Sequence, residues 1–166
     1  ADLASAEPTS NVYDALDFLM NRKKSVPFDS DRYRELVDTL TCAMEENRDY
    51  WKDMAVLIST AEGMSNFSKG IILEAFGRQP DSVGAHKVLL TLIQNPDVSL
   101  TMKRTAVSML ALTNEVPAQT VQFLREEATQ DPGLRDVALN VLARIARKCP
   151  RYRNKVVHFL GETLHT

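Results

Sequence analysis

The sequence predicts an all-α fold, an α-α superhelix or solenoid of about nine helices stacked as hairpins. Three observations carry this expectation. Apolar residues recur at i, i+3, i+4 and i+7 along most of the chain, the 3.6-residue period of amphipathic helices. There is no sustained period-2 run rich in β-branched residues, and no Asn-Gly or Asp-Gly hairpin turn. One helical segment recurs three times at nearly constant spacing, as stacked repeats require.

A first helix from Asn11 carries Val12, Ala15, Leu16 and Leu19. A second, over 30–47, starts after Asp29 and Ser30 and carries Tyr33, Leu36, Val37, Leu40, Ala43 and Met44. A third, over 49–61, carries Trp51, Met54, Ala55 and Ile58 and ends near Gly63. Ser65 or Asn66 caps a fourth with Phe67, Ile71, Ile72, Ala75 and Phe76, stopped by Gly77 and Pro80. Ser82 caps a fifth with Val83, Val88, Leu89, Leu92 and Ile93, ending at Asn95-Pro96. Ser99 opens a sixth with Ala106, Val107, Met109 and Leu110, and Pro117 a seventh with Val121, Leu124 and Ala128. The eighth is the clearest. Asp131 is a good N-cap, Pro132 suits the first helical position, and Leu134, Val137, Ala138, Val141, Leu142, Ile145 and Ala146 make one stripe before Pro150 ends it. A ninth from about Arg151 carries Val156, Val157, Leu160 and Leu164.

The repeat emerges when Lys69–Gly77 (KGIILEAFG), Lys103–Ala111 (KRTAVSMLA) and Arg135–Ala143 (RDVALNVLA) are aligned, at spacings of 34 and 32 residues. A base opens each. Ile72, Ala106 and Ala138 follow at the fourth position, then Phe76, Leu110 and Leu142, then the small Gly77, Ala111 and Ala143. Each segment leads into a loop with Pro80, Pro117 or Pro150 and a further helix. Residues 130–146 (QDPGLRDVALNVLARIA) resemble the first helix of a HEAT repeat, with Asp-Pro, a basic residue, Ala three later and Leu at the helix end. Residues 95–112 resemble it with a two-residue insertion, and 65–77 match loosely. The units are shorter than the ~40–47 residues usual for that family. A tetratricopeptide array has a matching period, but its Trp, Leu-Gly and Tyr signature is missing. A looser similarity is to the helical N-terminal domain of large lipid-transfer lipoproteins.

The resemblance implies three HEAT-like repeats over 65–166, with 11–62 as capping helices of the same single domain and 1–10 a flexible N-terminal segment. The first helix is expected to cover the apolar end of the stack. The C-terminal end shows no comparable polar cap. Together with a start at Ala1 without Met, this reads as a fragment of a longer parent or an end-to-end contact.

Composition bounds the function. A chain of 166 residues with 44% hydrophobic and 25% charged side chains suits one globular domain. No stretch approaches the ~18 apolar residues of a membrane span. Two cysteines exclude a disulfide framework and a four-cysteine zinc site. Cys42 and Cys149 stay open between paired, free and packed, with core packing expected for Cys42. No compartment is fixed, and the cytoplasm is slightly favoured.

Chemistry is sparse. No Gly-x-Ser-x-Gly, Cys-x-x-Cys, His-Glu-x-x-His or strand-borne phosphate loop occurs. His158, Glu162 and His165 share a helical face, but i and i+7 lie ~10 Å apart, too far to ligate one ion. No metal or cofactor is expected. The adjacent pairs Glu45-Glu46 and Glu126-Glu127 point to different helix faces and make no acid–base dyad. Trp51, Tyr50 and Phe67 read as core.

Charge is uneven. Residues 1–62 hold 13 acids and 7 bases, whereas Arg144, Arg147, Lys148, Arg151, Arg153 and Lys155 form a run with no acid among them. Two readings follow. The favoured one is a non-catalytic scaffold that binds a protein or peptide on the second helices of the hairpins, through His86, Lys87, Thr91, Gln122, Phe123, Arg125 and Glu126. The alternative is a nucleic-acid or other phosphate ligand at the 144–155 rim. The net charge of −2 and the pI near 5.9 disfavour it.

Overall fold

The computed structural model describes residues 8–21 and 30–164. The expected flexible segment 1–10 falls mostly outside them, as do Asp29 and His165; Pro8–Ser10 belong to a helix. The described residues are all-helical, with α1 Pro8–Asn21, α2 Ser30–Glu46, α3 Asp49–Thr60, α4 Asn66–Gly77, α5 Ser82–Gln94, α6 Leu100–Met109, α7 Ala118–Gln130, α8 Arg135–Lys148 and α9 Pro150–Leu164.

From α2 onward alternate helices pack side by side, α2 on α4, α4 on α6 and α6 on α8, and α1 packs on α2 at the start of the row. The others lie against that row, α3 on α2 and α4, α5 on α4 and α6, α7 and α9 on α8, and α3 also meets α5. The aligned apolar positions sit between these elements: Ile72, Ala106 and Ala138, then Phe76, Leu110 and Leu142, are each at most 1% exposed. The small residue that follows permits close approach. A Cβ on Gly77 would meet the Met109 carbonyl oxygen at 3.1 Å and Leu112 at 3.3 Å, so α4 comes down onto the end of α6.

Position in the row explains how amphipathic each helix is. α4 lies between α2 and α6 and buries Ile71, Ile72, Leu73, Ala75 and Phe76 around most of its circumference. α8 ends the row and exposes Asp136, Asn140, Arg144 and Arg147 on one stripe. α9 leaves Val157 and Leu164 exposed.

Helix starts follow local hydrogen bonding. Ser65 and Ser99 are N-caps as expected, their hydroxyls accepting from the Ser68 and Met102 backbone N–H groups. Two caps differ. Asp81 rather than Ser82 caps α5, accepting from Gly84 N–H at 3.0 Å, while Ser82 Oγ accepts from Glu115 N–H at 3.2 Å. Asp131 turns its carboxylate to Gly133 N–H at 2.9 Å, so residues 132–134 form a turn and α8 starts at Arg135. Pro132 is therefore not the first helical residue. Pro150 takes that role in α9.

Trp51 is core, its indole N–H donating to the Met44 carbonyl at 2.8 Å and its ring edge-on to Phe76. Tyr50 is half-buried and Phe67 is exposed, against expectation, resting edge-on against Tyr33. Tyr33 O–H donates to Glu74 at 2.8 Å across α2 and α4. Burial and then that carboxylate push the phenol up to about 12. Both cysteines are free thiols, and Cys42 is exposed rather than packed in the core.

Candidate functional site

α3 and α5 turn facing stripes toward one another. Lys52, Ala55, Val56, Ser59 and Thr60 recur at helical spacing on α3, and Gly84, Lys87, Val88, Thr91 and Leu92 on α5. The groove between them has a volume of about 650 Å³, inside the usual range for ligand sites. Its floor is apolar: Ala55, Val88 and Leu92 pack on the core, while Val56 stays 49% exposed.

Both ends of the groove are bridged. At one end Arg48 pairs with Asp81 at 2.6 Å and lays its guanidinium 3.6 Å from the centre of the Trp51 ring. The Arg48 hydrogen bond, and then the Gly84 N–H, hold the Asp81 carboxyl below its usual range. Gly84 makes this possible, since a Cβ there would fall on Arg48 Nη2 and Asp81 Oδ2. At the other end Asn95 Nδ2 donates to Ser59 Oγ at 3.4 Å.

A second recess of about 240 Å³ lies between α5 and α7, where Val83, Leu90, Pro117 and Phe123 meet. Lys87 and Thr91 line both recesses and form the ridge between them.

The residues expected on this surface therefore separate. Lys87 and Thr91 lie where a partner would reach them. Phe123 is 9% exposed and serves as a wall of the smaller recess. Gln122 and Glu126 are exposed on α7, hydrogen-bonded to each other at 3.0 Å. Arg125 is half-buried, its guanidinium 5.3 Å from the Phe159 ring centre.

His86 is corrected outright. It is 1% exposed and cannot present its ring to a macromolecular partner. Nε2 lies 2.6 Å from Thr113 Oγ1 and Nδ1 2.7 Å from Thr120 Oγ1. The single Thr113 hydroxyl proton is directed at the Leu110 or Glu115 carbonyl. Thr113 therefore accepts from Nε2–H, and Thr120 donates to Nδ1. The ring is a neutral buried link between α5, the 110–116 turn and α7. Burial and then the nearby Lys148 charge lower its pKa to about 4.

Arg147 and Lys148 lie in the last turn of α8, and half of the basic run is engaged with backbone carbonyls. Lys148 Nζ donates to the Ala111 and Thr113 carbonyls, Arg151 to the Val116 carbonyl at 2.8 Å, and Arg153 to the Ala146 carbonyl at 3.2 Å. These carbonyls lie at helix ends and in turns, where no intrahelical donor reaches them. All six side chains are exposed, and Arg144, Arg147 and Lys155 have none of these backbone bonds. Lys148→Ala should thus cost ~1–3 kcal/mol, whereas Arg144→Ala should stay within ~0.5 kcal/mol. Urea melts of the two variants compare them directly, and equal effects would mean that Lys148 is only a surface charge.

No known protein family, curated protein or solved structure matches the chain. Among the described residues, no helix is long and apolar enough to cross a membrane, and no group of three His, Cys, Asp or Glu side chains is placed to hold a metal ion. His158 pairs with Glu162 at 3.0 Å on an exposed face of α9.

Proposed function

We propose that the chain is a HEAT-like α-solenoid scaffold, non-catalytic, that binds a protein or peptide segment on its α3–α5–α7 face. The observation that carries this reading is the groove of about 650 Å³ between α3 and α5. Its apolar floor between polar walls suits side chains of an extended or helical segment, as in helix-in-groove recognition. The repeated burial pattern along α4, α6 and α8 supports the solenoid reading, since stacked repeats leave a long continuous surface for contact. The partly engaged basic run lends less support to a phosphate ligand there.

The test is selection from a library of random displayed peptides, followed by binding to variants. Val56→Asn with Thr91→Trp removes an apolar contact from one wall and adds bulk to the other without changing charge. Both positions are exposed, so the melting temperature should hardly change. Binding of the selected peptides should fall about tenfold or more, a loss of ~1.4 kcal/mol. Arg144→Ala with Arg147→Ala should leave binding intact. The reverse pattern would move the site to the basic rim.

A further inference from the structure

The walls of the α3–α5 groove carry charge of one sign. Arg48, Lys52 and Lys87 line it against a single acid, Asp97. Arg48 is answered by Asp81. Lys52 and Lys87 are exposed, one on each wall, and among the described residues neither has a carboxylate within 4.0 Å. The contrast is local, because residues 1–62, which include α3, hold 13 acids and 7 bases. Two unanswered ammonium groups thus flank an apolar floor, Lys52 from the acidic N-terminal part of the chain and Lys87 from α5, which carries no acid.

Resting on the reading of this groove as the binding surface, we propose that its occupant is an acidic amphipathic peptide segment. Its apolar side chains sit on Ala55, Val56 and Val88, and its carboxylates meet Lys52 and Lys87. Complementary potential raises the encounter rate and fixes register, while the floor contributes by burying apolar area. A basic segment would be repelled from both walls. A purely apolar one would leave the lysines unmatched.

The chain has one tryptophan, Trp51, buried beneath Arg48 at one end of the groove, so its emission should respond to an occupant that displaces Arg48, and affinity is read by titration of labelled peptide. Peptides selected from the random library should be enriched in Asp or Glu flanking Leu, Ile or Phe, and should shift Trp51 emission. Their affinity should fall steeply with added salt. Lys52→Glu with Lys87→Glu should weaken them by about tenfold or more, and the Arg pair at the same positions should preserve binding. Selected peptides without acidic bias, or affinity that survives the charge reversal within about twofold, would overturn the proposal. If those peptides still lose affinity on Val56→Asn with Thr91→Trp, the groove reading stands and only the partner chemistry falls. If neither pair of substitutions matters, or if no peptide is enriched, both fall. Displacement of the peptides by an equal concentration of single-stranded oligonucleotide would assign the groove to a phosphate ligand and also overturn the proposal.

Discussion

Leu142→Ala should destabilise the protein by ~2–5 kcal/mol and lower its melting temperature by roughly 5–15 °C. Leu142 is fully buried in α8, and α8 packs on α6, α7 and α9 together. Three rigid neighbours cannot all move into the space that the lost methyl groups leave, so the cavity persists and adds to the lost transfer energy. Val157→Ala on the exposed face of α9 is the control and should stay within ~0.5 kcal/mol. If Leu142→Ala behaved like the control in thermal and denaturant melts, the aligned apolar triplets would not mark a common core.

The second large effect is a loss of stability in acid. Folding holds His86 neutral with a pKa of about 4, whereas an unfolded histidine titrates near 6.5. Between those values the unfolded chain binds a proton that the folded chain refuses, so stability rises with pH across this window and falls as pH drops from about 6.5 to about 4. Below about 4 both states are protonated and the slope vanishes. The span corresponds to about 3 kcal/mol. His86→Gln should flatten that part of the curve, and it should also lower stability at pH 7 because the Thr113–Thr120 link is broken. Stability measured by denaturant melts at stepped pH separates the two effects. An unchanged slope in His86→Gln would mean that other groups drive the acid transition.

The helices were legible because their signal is local and redundant. The 3.6-residue stripe alone places α2, α3 and α9 within a residue or two, and Ser65 and Ser99 cap by a rule of chain geometry. The misplaced caps share one cause. Asp81 stands beside Ser82, and Asp131 precedes a Pro-Gly turn, so several side chains and backbone groups compete for the same bond. Sequence order does not decide such a contest.

The candidate site was less legible because a helical wheel has no knowledge of neighbours. α5 is flanked on both sides, so His86, which reads as a polar surface residue, is enclosed by Thr113 and Thr120, while Lys87, the next residue, stays exposed. Lys148 and Arg151 read as free charges because their acceptors lie some 35 residues away, in the 111–116 turn. The groove itself went unread. Val56 falls off the apolar stripe of α3, and an apolar residue on the polar side of a helix was the one available hint.

The central claim is that the α3–α5 surface is where a partner binds. Amide chemical-shift mapping of the isotope-labelled protein with a selected peptide tests it most directly. Shifts should concentrate at Lys52, Val56, Lys87 and Thr91 and fade toward α8 and α9. Shifts clustered instead at Arg144, Arg147 and Lys155, with α3 and α5 unmoved, would contradict it.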